Sequence, residues 1–308
     1  MTPWLLIDTD PGVDDALAIL MAHRHARIAG LSIAAGNVGL GHTVANALKL
    51  CDVLGADIPV FPGCPLPLVR AAADAAHVHG ADGFGDTGYL PSRRAAAGEH
   101  AALATLRLSR EHAGTLTLVA LAPLTNLALA LRLDPTLPQR VPRLVVMGGA
   151  VSGRGNTSVA AEFNVGFDPE AAAIVFGAWP RFELVDWELT VRHALDFARC
   201  EAWLATDDPR AHFYAAISRK VRGLSRERGR PGLIAADALA MAVALEPGLV
   251  TAAEERHVAV ELDGMLARGA TVVDWDRRGV GSTNARIIMA VDQARFEALV
   301  ASALGATA

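Results

Sequence analysis

Cysteine is scarce in this 308-residue chain: Cys51, Cys64 and Cys200 are the only three. An odd number at no metal-binding spacing excludes a disulfide framework and a zinc cluster, so a reduced, cytoplasmic protein is expected. Charge of one sign is missing too. The formal net charge is -5 and charged residues make up 20%, which argues against nucleic acid and against an anionic membrane surface as partners. Long hydrophobic runs are absent. The most apolar stretch, Leu116 to Leu131, is broken by Thr117, Pro123, Thr125 and Asn126; it reads as strand, turn and helix, not as a membrane span. The first residues lack a basic region, and Asp8 interrupts the apolar start, so no signal peptide is expected.

Hydrophobic residues are plentiful at 52%, while aromatics make up 5%. Most of the apolar residues are Ala, Leu and Val, a composition suited to Ala-rich helices lying on a sheet. Short β-branched or Leu-rich runs alternate with longer segments of helical period, so an α/β fold with an open, mainly parallel sheet flanked by helices is expected. The pattern predicts strands over Trp4–Asp8, Ile28–Ala35, Ile58–Phe61, Leu116–Leu121, Arg143–Met147, Phe182–Val185, His257–Leu262, Ala270–Asp274 and Ile287–Val291. Helices are predicted over Asp14–His23, Thr43–Leu54, Ala101–His112, Leu124–Leu133, Pro169–Phe176, Pro209–Leu224, Asp237–Leu245 and Gln293–Leu304. No repeat or linker divides residues 1–308, so a single domain is expected. Two segments, Arg70 to Ala97 and the arginine-rich Arg219 to Gly232, read as loops that either bind a ligand or are solvated insertions.

The most unusual stretch is "DTDPGVDDALAI", which places Asp8, Asp10, Asp14 and Asp15 within eight positions. Asp8 and Asp10 point to one side of a strand, and Asp14 and Asp15 fall in the first turn of the helix after Pro11-Gly12. A helix cap uses one acid, not four. Carboxylates crowded in a crevice repel unless a cation compensates, and oxygen ligands without His or Cys select calcium or magnesium over zinc. Further polar or glycine-rich groups follow other predicted strands: "AAGN", "ALAPLTN", "VMGGA" and "VDWELT". In a parallel sheet such positions line one crevice.

"DTDPGVDDALAI" resembles the signature of the nucleoside hydrolases, the inosine-uridine preferring N-ribohydrolases. The resemblance continues through "AAGNV", "VHGADGFGD", "ALAPLTNLALAL", "VVMGGAV", "GNTSVAAEFNVGFDPEAA", "ADALAMAVALEP" and "VELDGMLARGATVVDW", in order along almost the whole chain. It implies the nucleoside hydrolase fold with a Rossmann-like core, and calcium-dependent hydrolysis of the N-glycosidic bond of ribonucleosides, as used in nucleoside catabolism and salvage. A ring of carboxylates suits the positive charge that develops on the sugar as the base leaves. Calcium can bind ribose hydroxyls and acidify a bound water.

Carried over position by position, the resemblance implies that Asp10, Asp15, Asp237 and the backbone carbonyl of Leu121 are metal ligands. Asp10 also takes the proton of the attacking water. Asp14, Asn37 and Asn164 hold the water or the ribose 2′- and 3′-hydroxyls, with Asp237 also at the substrate. Asn156 and Glu162 bind the 5′-hydroxyl, Met147 packs beneath the sugar, and His79 lies near the base. Asp8 is support. A homodimer or homotetramer is expected. The histidine that often precedes the aspartate matched by Asp237 is replaced by Ala236. An alanine cannot protonate a departing base. Either His79 or a group on the segment after Arg219 replaces that histidine, or the enzyme depends on leaving groups that need no proton; the last is the main expectation. Two other readings compete. A haloacid-dehalogenase phosphatase also begins with D-x-D, but needs Thr or Val where Gly12 stands and a lysine that neither Lys49 nor Lys220 supplies well. A non-catalytic nucleoside-binding protein would not need every acid.

Overall fold

In the computed structural model, which describes residues 4–279 and 281–307, the alternating pattern becomes one eight-stranded sheet. In chain order its strands are β1 (Trp4–Thr9), β2 (Arg27–Ile33), β3 (Val60–Pro62), β4 (Leu116–Ala120), β5 (Arg143–Met147), β6 (Phe182–Val185), β7 (Val250–Arg256) and β8 (Ala285–Val291). Across the sheet they run β3-β2-β1-β4-β5-β6-β8-β7. Every neighbouring pair is parallel except β7 with β8.

Eight helices of nine or more residues cover the sheet: α1 (Val13–His25), α2 (Leu40–Leu54), α3 (Ala101–Glu111), α4 (Thr125–Leu133), α5 (Pro169–Ala178), α6 (Pro209–Glu227), α7 (Ala236–Leu245) and α8 (Gln293–Ala303). One core joins α1, α2, α6, α7 and α8 to the sheet, and a second core lies under α3, α4 and α5. Covered on both faces, the central strands read as continuous apolar runs, as in Leu5-Leu6-Ile7, all fully buried. α1 and α7 pack on each other, and their many alanines permit a close approach. From β1 the chain proceeds first to β2 and β3 on one side and then to β4, β5 and β6 on the other. A crevice opens where such a reversal occurs, beyond the carboxyl ends of β1 and β4.

Several expectations are corrected. The stretches predicted as strands over His257–Leu262 and Ala270–Asp274 do form strands, Val258–Val260 and Thr271–Val273, but these pair antiparallel in a separate two-stranded sheet outside the main one. The sheet is completed instead by β7, whose sequence "VTAAEER" is mostly exposed or half-buried at an edge. An edge strand buries too little to advertise itself as an apolar run. Arg219 to Gly232 is not a loop over most of its length, because α6 continues to Glu227. Arginine is a good helix former, and the chain breaks only at Gly229 and Pro231. Two helices, Trp187–Arg192 and Phe197–Leu204, were not anticipated.

Candidate active site

The aspartate cluster is built by a strand end, a turn and a helix start. Asp10 follows β1, and Gly12 is the N-cap of α1. The Asp15 side chain folds back over the turn: it accepts from Gly12 N at 2.9 Å, Asp10 N at 3.3 Å and the Thr9 hydroxyl at 2.5 Å. From the end of β2, Asn37 closes the other side. Its backbone N–H donates to Asp10 Oδ2 at 2.6 Å, and its side-chain amide donates to the Asp10 carbonyl and to Asp15 Oδ2. That approach needs a glycine next door. A Cβ on Gly36 would stand 2.1 Å from Asp10 Oδ2.

Asp237 enters from the first turn of α7. Asp14, Asp15 and Asp237 each offer an oxygen, and the three oxygens lie within 4.8 Å of one another. Asp10, expected as a metal ligand, is not one of this trio; its Oδ2 accepts the Asn37 N–H. Oδ1 of Asp10 and Oδ1 of Asp237 are buried without any hydrogen-bond partner. Burial, and then the charge of Asp15, pushes Asp10 well above the ordinary carboxylate range. Burial and then the charges of Asp14, Asp15 and Asp10 do the same to Asp237. Asp15 is raised by burial and by Asp14, and Asp14 is raised to about 6 by burial. Crowded, partnerless, oxygen-only donors fit a hard cation and suit no soft one. The cluster could hold a metal ion.

Asp8 lies deeper, fully buried, where its Oδ1 accepts from Ser32 and from Asn126 of α4. It fixes the floor of the crevice and does not line the cleft.

The far side of the cleft comes from β5 and the segment after it. Glu162 caps the short helix Phe163–Phe167; its carboxylate accepts from Gly149 N, Asn164 N and Val165 N at 2.9, 2.9 and 3.2 Å. Burial nevertheless raises it to about 7. Glu162 and Asn164 are buried at 2% and 6% exposure, so neither belongs to a surface turn. The Asn164 side-chain amide donates to the Leu121 carbonyl at 2.7 Å and reaches Met147 O at 3.3 Å, leaving the Leu121 oxygen one lone pair. Met147 is buried at the end of β5, and Asn156 lies exposed on the loop above. All of these, with Asp14, Asn37, Leu121 and Asp237, line one cleft of about 370 Å³.

A family model described as inosine-uridine preferring nucleoside hydrolase matches residues 5–298. The chain belongs to this family. An inosine-uridine preferring nucleoside hydrolase of Leishmania major is 35% identical over 97% of this chain and 96% of its own. The non-specific ribonucleoside hydrolase RihC of Klebsiella pneumoniae is 36% identical over 95% of each chain. Among solved structures, an inosine-guanosine nucleoside hydrolase superposes with a TM-score of 0.92, at 32% identity and full coverage of both chains. These likenesses replace the phosphatase and the non-catalytic reading. The fold is that of the nucleoside hydrolases, and the reaction is hydrolysis of the ribonucleoside N-glycosidic bond.

Within this nucleoside hydrolase, His79 caps α1: its Nδ1 accepts the Val13 N–H at 3.1 Å. Burial holds it down to about 4, so it is neutral near pH 7, and its 3.9 Å approach to Asp14 is not an ion pair. Ala236 lines the cleft beside Asp237. Sequence reasoning missed Tyr214, Trp187, Phe163 and Arg230, all of which also line it. Trp187 was within reach, since "VDWELT" follows β6 at a strand end. Tyr214 carries no signal, being one apolar position among many on α6. Among the described residues no helix is long and apolar enough to cross a membrane.

Proposed function

We propose that this hydrolase uses calcium, held by Asp10, Asp15, Asp237 and the Leu121 carbonyl, to cleave ribonucleosides to ribose and free base. The observation that carries the reading is the oxygen-only cluster of Asp14, Asp15 and Asp237, in which Asp237 Oδ1 is buried without a partner, with a second buried, partnerless oxygen on Asp10. When bound, the ion supplies an anchor for ribose hydroxyls and a more acidic water. Asp10 accepts the proton of the attacking water. Its raised affinity for protons in the bare site falls once a cation offsets the neighbouring charges. Asp14, Asn37 and Asn164 orient the ribose 2′- and 3′-hydroxyls and the water, the carboxylates around C1′ favour the positive charge building there, and Met147 gives the sugar an apolar floor.

Glu162 and Asn156 address the 5′-hydroxyl. A buried carboxylate at that end repels a 5′-phosphate, so nucleosides are the substrates and nucleotides are not. The whole chain, residues 1–308, works as one domain, in the cytoplasm and as a homodimer or homotetramer. The test is elemental analysis of protein purified without chelator, together with turnover of purine and pyrimidine ribonucleosides and their 5′-monophosphates. About one calcium per chain and ribose release from nucleosides support the reading. Tight zinc without calcium would sink the metal assignment, and faster cleavage of a 5′-monophosphate would sink that of Glu162.

A further inference from the structure

Four consecutive backbone N–H groups follow β5, and each is taken by a side chain from another part of the chain. Gly149 N donates to Glu162 Oε2 at 2.9 Å, Ala150 N to the Thr271 hydroxyl at 3.3 Å, Val151 N to Asp186 Oδ2 at 3.0 Å and Ser152 N to Glu188 Oε2 at 2.8 Å. Backbone in a helix or a sheet bonds to backbone; here side chains set the path instead. The fit leaves little slack. Gly149 sits at φ 77°, and a Cβ on it would stand 2.5 Å from the Thr271 hydroxyl oxygen. Trp187 N returns a bond to Gly149 O at 2.9 Å. This segment runs from Met147 to the loop that bears Asn156 and Glu162, the two groups assigned to the 5′-hydroxyl.

Two of the four acceptors come from one short helix, Trp187–Arg192, and its cap. Asp186 is the N-cap: its Oδ1 accepts Leu189 N at 2.9 Å while Oδ2 holds Val151. Glu188 accepts only through Oε2, and its Oε1 is buried without a donor. No cation pairs with either carboxylate among the described residues. The two side chains come within hydrogen-bonding reach of each other, and burial, with Glu188 adding to it, raises Asp186 to about 6. Near pH 7 the pair therefore carries like charge away from water, an arrangement that costs stability. Trp187, between them, lines the cleft, and neither acid does. Their place in the fold is to hold the segment.

Building on the 5′-hydroxyl assignment above, we propose that Asp186 and Glu188 are positioning residues for the 5′ end of the ribose. They clamp Val151 and Ser152, the clamp sets Gly149, and Gly149 N fixes the carboxylate of Glu162. The two members are not equivalent. Asp186 accepts with both oxygens, so an amide there must turn an NH₂ on an N–H group and lose one bond. Glu188 accepts with one, so an amide keeps the bond to Ser152 and offers its NH₂ to Asp186, relieving the repulsion.

The test compares the parent with Asp186→Asn, Glu188→Met and Glu188→Gln on 4-nitrophenyl ribofuranoside and on its 5-deoxy analogue, which lacks only the hydroxyl at issue. Nitrophenolate release gives kcat and KM. The parent should prefer the hydroxylated riboside. Asp186→Asn and Glu188→Met should lose at least about tenfold in kcat/KM on it, change little on the 5-deoxy analogue, and so bring the ratio of the two towards one. Glu188→Gln should keep that ratio and melt no lower than the parent. Losses of equal size on both ribosides, or a ratio that survives in Asp186→Asn and Glu188→Met, would overturn the proposal. So would a Glu188→Gln variant as impaired as Glu188→Met. A parent that cleaves both ribosides alike would overturn the 5′-hydroxyl assignment instead, and one that cleaves neither would overturn the ribohydrolase reading, this proposal falling with either.

Discussion

Replacing Asp10 by asparagine changes one atom at the most crowded point of the cleft, and its two consequences have opposite signs. Asp10 is 1% exposed; one oxygen accepts the Asn37 N–H at 2.6 Å and the other has no partner. An asparagine with its carbonyl towards Asn37 keeps that bond and sets an amide NH₂ where the partnerless oxygen stood. The proton acceptor is lost, so kcat should fall at least about a hundredfold. In chelator, however, the protein should become more stable, because one of several buried like charges is gone. We expect a gain within the usual span of single substitutions, about 1–3 kcal/mol. At about 2 °C per kcal/mol for a chain of this size, Tm should rise by about 2–6 °C. With saturating calcium the order should reverse, since the variant has lost a hard ligand. Initial rates of ribose release and calorimetry in both buffers read the two effects separately. A variant that keeps more than about a tenth of the turnover is not missing its base. One that melts below the parent in chelator would show that the Asp10 carboxylate is not electrostatically crowded.

Glu162 gives a pH dependence in the metal-free protein. Burial raises it from 4.5 to about 7, so the folded state holds this proton more tightly than the unfolded one. Stability is then lost as pH rises from about 4.5 through 7. Glu162→Gln should flatten that fall between pH 5 and pH 7.5 in chelator, and an unchanged slope would assign it to other groups. Gly36→Ala places a Cβ against Asp10 Oδ2 and Pro123 Cδ; overpacking of this kind costs about 1–3 kcal/mol. We expect a lower Tm and turnover reduced at least about tenfold, and full activity would show that the turn yields freely. Ala236→His would place an acid in the cleft beside Asp237 and should raise inosine turnover, while 4-nitrophenyl ribofuranoside, whose leaving anion is already stable, changes little, so the ratio of the two rates is the measurement. A fall in both would show that the cleft has no room there.

Much of this site was legible in the sequence, for physical reasons that differ by residue. Asp10, Asp14 and Asp15 are near neighbours in the chain, so strand and helix geometry alone gathered them. Asp237 is far away in sequence, and only the resemblance joined it to the others. The central strands were readable because both faces are buried and their runs are unbroken. β7 was not, since an edge strand with "AEER" resembles any solvated segment. The arginine-rich segment misled in a more useful way. Composition read it as a loop, whereas α6 fixes Lys220, Arg222 and Arg226 on its surface and delivers Arg228 and Arg230 to the cleft just beyond its end. Composition counts charges; it cannot say which are already paired.

The aspartates of the cluster are supplied by the first strand-to-helix turn and by α7, which follows six strands of the sheet in the chain. A chain emerging from the ribosome therefore carries Asp10, Asp14 and Asp15 long before it carries Asp237. Until α7 docks against α1, the early trio is an open, solvated turn whose carboxylates can be hydrated separately. The strain of confining them arises only as the last long-range contacts close. Cation uptake then belongs to the end of folding, and an ion in the surrounding solution acts as a latch on the finished architecture rather than as a seed for it.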